Sequence, residues 1–233
     1  TKSLLRRLIL QEMWIRFPLH WTVRYRIMAR LAEKYENKQL CRKYLEMAEK
    51  TKKSFDEKFY NAGKHCLYDV LGDSKVRPNQ LFALSLSHPI VDNAKIAEQV
   101  LNTVENKLLN RYGLQTLSSD EEGYVDVYEG SAYNRDSSYH QGITWPWLLG
   151  LYYDALKNTM IIEKNRTKRQ ELEEKITNLV DTTKETFKAE MFERSSIGTI
   201  SEIYDSTEPY EERGAFAQAW SVAEIFRIVL NKR

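Results

Sequence analysis

Glu202 stands in ISEIYDS (residues 200–206) with Ile200 and Ile203 beside it. A carboxylate fixed among apolar neighbours is a candidate for proton transfer, although a lone glutamate in a loop is more often simply solvated. Upstream, YHQGITWPW (139–147) places His140 and Gln141 ahead of Trp145 and Trp147, with Pro146 between the indoles. Sugar rings lie with their apolar C–H faces on aromatic rings, while their hydroxyls need many neutral hydrogen-bonding groups. With Pro146 in the first turn of a helix, the two rings and the polar pair would gather at its mouth and suit a polyhydroxyl ligand. The same residues would also serve as core around a satisfied histidine. RPNQ (77–80) adds Arg77, Asn79 and Gln80 at a proline-fixed turn. Its guanidinium can hold a carboxylate or two hydroxyls, or tie down the loop backbone. AQAWS (217–221) brings Gln218 and Trp220 shortly after Glu202. Amides and indoles recurring near carboxylates favour carbohydrate over an anionic ligand.

All of these stretches lie in or beside connections that precede helices. Helical periodicity dominates elsewhere. In 21–35 Tyr25, Met28, Leu31, Ala32 and Tyr35 recur at helical intervals, and in 40–60 Leu40, Tyr44, Met47, Ala48, Phe55 and Phe59 do the same. A short buried helix is expected after Pro78 and ends at Pro89, and Asp92 is placed to cap a helix over 93–109. Further helices are predicted over 145–161, 170–192 and 215–230, with strand-like runs only in the connections. Residues 110–138 read as a loop of unusual length. Four tyrosines (Tyr112, Tyr124, Tyr128, Tyr133) argue against disorder there. A second polar loop spans 193–214. About seven helices alternating with short and long loops fit an all-α array of antiparallel pairs that collects its long loops at one end. No fixed-period repeat is present.

Composition is that of a globular chain. Of 233 residues 42% are hydrophobic and 29% charged, and 35 basic against 33 acidic side chains leave a formal charge of +2. That balance speaks against a nucleic-acid binder. Cys41 and Cys66 have no metal-ligand spacing and read as two reduced thiols of a cytoplasmic protein. No segment has the roughly 18 apolar residues that a membrane span needs.

RPNQLFALSL, RDSSYHQGITWPWLLG and SEIYDSTEPYEERGAFAQAWSVAEIFR, in this order and spacing, resemble the C-terminal domain of glycogen debranching enzymes, from about residue 22 to the end. The resemblance implies an amylo-α-1,6-glucosidase, a partial (α/α)6 toroid in a single helical domain over 1–233, and an inverting mechanism. That mechanism would remove the single glucose left at an α-1,6 branch of glycogen or a limit dextrin, using two carboxyl groups. It makes Glu202 the general base. It places Asp136, His140, Gln141, Trp145 and Trp147 on the sugar-pocket motif, with Arg77, Asn79, Gln80, Gln218 and Trp220 on its other pocket-facing stretches. It calls for no metal and no organic cofactor.

One departure bears on activity. The family's general acid is an aspartate in a Trp-Met-Asp motif upstream, and residues 1–20 carry none. Nothing in the context of Glu12, Asp126 or Asp136 argues for a substitute. The chain starts at Thr1 and is read as the C-terminal portion of a catalytic domain. Its expected partner is an α-glucan, and an open edge is expected to be covered by the missing toroid half, by a second copy, or by residues 1–20 in a new role. The alternative is a non-catalytic helical module that keeps a glucose pocket.

Overall fold

A computed structural model describes residues 16–194 and 198–230, with side chains from Trp21 onward. The readings made for residues 1–15, for the side chains of 16–20 and for Glu12 lie outside the described residues. Eight α-helices occur among the described residues: α1 (Arg16–Lys34), α2 (Lys38–Lys58), α3 (Phe82–Ser85), α4 (Ala94–Lys107), α5 (Ala132–Ser138), α6 (Leu148–Ile162), α7 (Arg166–Glu193) and α8 (Ala219–Leu230). A 3-10 turn, Pro78–Leu81, leads into α3. It divides into two turns the short helix expected after Pro78.

Helix starts follow side-chain chemistry. Asn37, Asn93 and Asn165 each accept a hydrogen bond from a first-turn amide, at 3.0 Å from Leu40, 3.2 Å from Ile96 and 2.9 Å from Thr167. The cap of α4 is therefore Asn93 rather than Asp92, whose carboxylate meets Lys52 Nζ at 3.0 Å.

α6 is the hub. Leu148, Leu149, Tyr152, Tyr153, Ala155 and Leu156 are all buried, so this helix is apolar on nearly every side. It packs against α3, α4, α7 and α8, and α1 pairs with α2 across a three-residue connection. One core cluster joins Phe55, Leu81, Leu84, Val100 and Leu156. A second joins Tyr112, Tyr153, Phe187, Tyr204 and Ile228.

The connections are less irregular than their composition suggests. Five strands of two or three residues form one antiparallel sheet in the order β3 (Leu109–Asn110), β4 (Gly113–Gln115), β5 (Thr144–Trp145), β6 (Ile203–Tyr204) and β7 (Glu212–Arg213). Leu114 pairs with Trp145, Thr144 with Tyr204 and Ile203 with Arg213. A two-stranded sheet, β1 (Tyr60–Asn61) with β2 (Cys66–Leu67), sits after α2. The larger sheet stitches the three long connections together. Its short strands leave the chain predominantly helical, with two small sheets set into the loops.

Side chains reinforce that stitching. Asn110 Nδ2 donates to Thr144 Oγ1 at 2.6 Å, Thr144 Oγ1 meets Ser206 Oγ at 2.7 Å, and Ser206 Oγ donates to the Gly142 carbonyl at 2.6 Å. Asp205 takes both Arg213 Nε and a terminal nitrogen, at 3.0 and 2.7 Å, on one oxygen. Its other oxygen accepts the Tyr128 amide at 2.7 Å. The predicted 110–138 loop is thus divided by β4 and α5 and fastened along its length.

Candidate functional site

The sheet brings 139–147 and 200–218 side by side, and Glu202 lies where they meet. Its carboxylate accepts three hydrogen bonds. Tyr139 Oη donates to Oε1 at 2.6 Å, Gln218 Nε2 donates to Oε1 at 3.1 Å, and the Ala215 amide donates to Oε2 at 3.1 Å. An ionised carboxylate has about four acceptor sites, so these three fix its orientation and leave capacity for a water. Burial first, and then the Glu202 carboxylate, holds the Tyr139 hydroxyl well above the usual phenol range, so it stays a donor. Gly214 permits the close turn. Its φ is +70°, and a Cβ there would come within 2.5 Å of Glu202 Oε2.

Tyr139 links Glu202 to an aromatic wall. Its ring lies 4.8 Å from Trp145 at an interplanar angle of 66°, and Trp145 lies 6.2 Å from Trp220. Trp147 is 6.4 Å from Trp220 and 6.5 Å from Phe82. His140 stacks on Trp145 at 5.3 Å with planes 16° apart. Tyr139, His140, Trp145, Trp147 and Trp220 border a cavity of about 680 Å³, also lined by Asp69, Asp73, Arg77, Asn79 and Gln141. That size lies in the range of small-ligand pockets. A larger hollow of about 950 Å³ runs along α1 and α2, but charged chains such as Glu33, Arg42 and Glu49 line it and no aromatic ring does.

The sequence-predicted residues fall into three groups. Arg77, Asn79, His140, Gln141, Trp145, Trp147 and Trp220 border the cavity. Glu202 and Gln218 are not among the lining residues; Glu202 is hydrogen-bonded to Tyr139, which is, and Gln218 to Glu202. Gln80 and Asp136 border it nowhere. Gln80 is 1% exposed, accepting the Leu67 amide at 3.2 Å and donating to the Arg77 carbonyl at 2.8 Å, so both ends of its amide brace the loop. Asp136 is exposed on α5.

Arg77 chooses one of its two readings. One terminal nitrogen donates to the Thr116 and His140 carbonyls at 3.1 and 2.8 Å, and the other to Gln141 Oε1 at 2.9 Å. It clamps the floor of the cavity. Trp145 sits in β5 with its Nε1 donating to the Tyr139 carbonyl at 3.3 Å, and α6 begins only at Leu148. The rings are therefore set by a strand and a turn rather than by a first helical turn at Pro146. Tyr139 is the residue that motif reading passed over. Its partner lies 63 positions away, beyond any local spacing.

Among the described residues no group of three or more His, Cys, Asp or Glu is arranged to hold a metal ion. No helix among them is long and apolar enough to cross a membrane.

A family model described as amylo-alpha-1,6-glucosidase matches residues 19–227. Among solved structures, a chain named "Sialidase" aligns with a TM-score of 0.64 at 12% identity, over 91% of this chain and 19% of that one. Such a likeness is one of fold. This chain spans about a fifth of the length of that structure.

Proposed function

The chain belongs to the amylo-alpha-1,6-glucosidase family, and from that premise we propose that it hydrolyses the α-1,6-linked glucose left at branch points of glycogen-type or limit-dextrin α-glucans, with inversion. In this reading the glucosyl ring lies on the indoles of Trp145, Trp147 and Trp220. Glu202 takes a proton from the attacking water while a carboxylic acid from outside this chain protonates the leaving oxygen. An inverting pair stands about 6.5–9.5 Å apart so that water fits between carboxylate and sugar. The helices belong to a partial (α/α)6 toroid that gathers its loops at the site.

The observation that carries the reading is the Glu202 carboxylate, oriented by three donors and joined through Tyr139 to an aromatic, sugar-sized cavity. Glu202→Gln, compared with wild type with the acid-bearing remainder of the domain present, tests it by keeping the shape and removing the proton acceptor. Glucose release from a branched limit dextrin should fall by at least about 10²-fold, the usual weight of general base catalysis. Calorimetric binding of the same dextrin should persist. Turnover equal to wild type would remove Glu202 from the chemistry. Wild-type binding with no glucose release, even with the acid-bearing remainder of the domain present, would instead support a glucan-binding module, a reading favoured by Asp136, which is exposed and outside the cavity lining.

A further inference from the structure

We propose that Asp69 contacts the substrate directly, accepting hydrogen bonds from neighbouring hydroxyls of the sugar seated in the aromatic cavity, and thereby sets which sugars bind; this rests on the glycosidase reading above. Asp69 borders the cavity together with Tyr139, Trp145, Trp147 and Trp220, and it is half-buried. It lies in LYDVLGD (67–73), outside the three stretches that carry the family resemblance.

The backbone there is held on both sides. The Leu67 amide donates to Gln80 Oε1 at 3.2 Å and the Tyr68 amide to the Phe59 carbonyl at 2.9 Å. The Asp73 amide closes a turn onto the Val70 carbonyl at 2.9 Å, with Gly72 at φ +88°. A carboxylate on a fixed loop is pre-organised, which is what discrimination among polyols requires.

The chemistry of the lining favours this role. Indoles supply the flat apolar surface, but they leave the hydroxyl rim of a sugar without strong acceptors. Asp73 spends Oδ1 on the Lys75 amide at 3.0 Å. Arg77 directs its terminal nitrogens to the Thr116 and His140 carbonyls and to Gln141. Asp69 brings a carboxylate to that rim, and carboxylate oxygens are acceptors suited to hydroxyl donors. A site built to bind hydroxyls rejects analogues that lack them much more strongly than a merely apolar pocket rejects an extra group. The substrate class is thus a neutral sugar with adjacent free hydroxyls, and an anionic sugar is disfavoured by the same carboxylate.

The test is calorimetric titration of the full chain, as wild type, Glu202→Gln and Asp69→Asn, with maltotetraose and with a series of mono-deoxy methyl α-glucosides. Wild type and Glu202→Gln should bind maltotetraose alike, and Asp69→Asn should weaken it by about tenfold or more, as for a lost hydrogen bond to a charged group. The deoxy series supplies a second readout. At least one deoxy position should cost wild type affinity and cost Asp69→Asn nothing further, the signature of a direct pair. Equal binding by wild type and Asp69→Asn, or the same deoxy penalties in both, would overturn the Asp69 assignment and leave the glycosidase reading standing. No maltotetraose binding by wild type would overturn both.

Discussion

Three donors from two parts of the chain, Tyr139 on one side and Ala215 and Gln218 on the other, converge on the Glu202 carboxylate, and the shortest of those bonds comes from Tyr139. Replacing Tyr139 by Phe removes that donor while keeping the ring against Trp145. A hydrogen bond to a charged group is worth about 1.5–3 kcal/mol, so glucose release should fall by about 10- to 100-fold if the bond matters mainly at the transition state. KM should change much less, because the ring face remains. Initial rates over a range of dextrin concentrations separate the two parameters, and a rise in KM with unchanged kcat would make Tyr139 only a wall. Tryptophan and glutamate were legible as candidates because their types are unusual at such positions. Tyr139 was not, since only the fold sets it beside Glu202. Arg77 and Gln80 show the converse. Their chemistry suits a ligand, yet Arg77 points its terminal nitrogens, and Gln80 both ends of its amide, at the protein's own loops.

At the level of elements, the β6–β7 hairpin that carries Glu202 rests on a buried ionic cluster. Glu190 of α7 is 3% exposed and accepts Tyr204 Oη at 2.8 Å, while Arg194 Nε lies 3.1 Å from Glu212 and 3.5 Å from Glu190. Burial above all, and then the neighbouring Glu212 carboxyl, pushes Glu190 up to about 7, against smaller opposing effects of Tyr204 and Arg194. A raised carboxyl holds its proton in the folded chain after the unfolded chain has released it. This group's contribution is therefore complete at a pH below the ordinary carboxylate range and declines as pH rises to about 7, where the folded form also ionises. Glu190→Gln mimics the protonated state. Its melting temperature relative to wild type should rise by several degrees between pH 5 and pH 8, each kcal/mol being worth about 2–4 °C in a chain of this size. Parallel melting curves would show that Glu190 does not titrate in that window. None of this cluster was visible in the sequence, and the sheet that carries it was foreshadowed only as strand-like runs in the connections. Helices such as α2 and α7 are long enough to display a period, whereas a strand of two residues has no alternation to read.

Across the whole molecule, the apolar stripes of the first and last described helices have different fates on their two sides. In α1, Ala29 and Ala32 are buried, yet Ile27, Met28 and Leu31 are exposed, although Met28, Leu31 and Ala32 share the stripe that periodicity marks as core. In α8, Ser221, Ile225 and Ile228 face inward, while Trp220, Phe226 and Leu230 stay exposed, Leu230 by 74%. Burying one such side chain is worth about 1.5–3 kcal/mol, and stripes of this kind mark surfaces that pack against something. Trp220 belongs both to the α8 stripe and to the cavity lining, so whatever covers the one borders the other. The expectation for this chain in isolation is self-association through α8. Sedimentation velocity should show a weight-average mass rising with concentration for wild type, and Phe226→Ser combined with Leu230→Ser should return it to one chain. Both side chains are exposed in the single chain, so the melting temperature of the variant at low concentration should stay within about 2 °C of wild type, as for other surface changes. A wild-type chain that stays a single species at every concentration would show that the α8 stripe does not drive pairing.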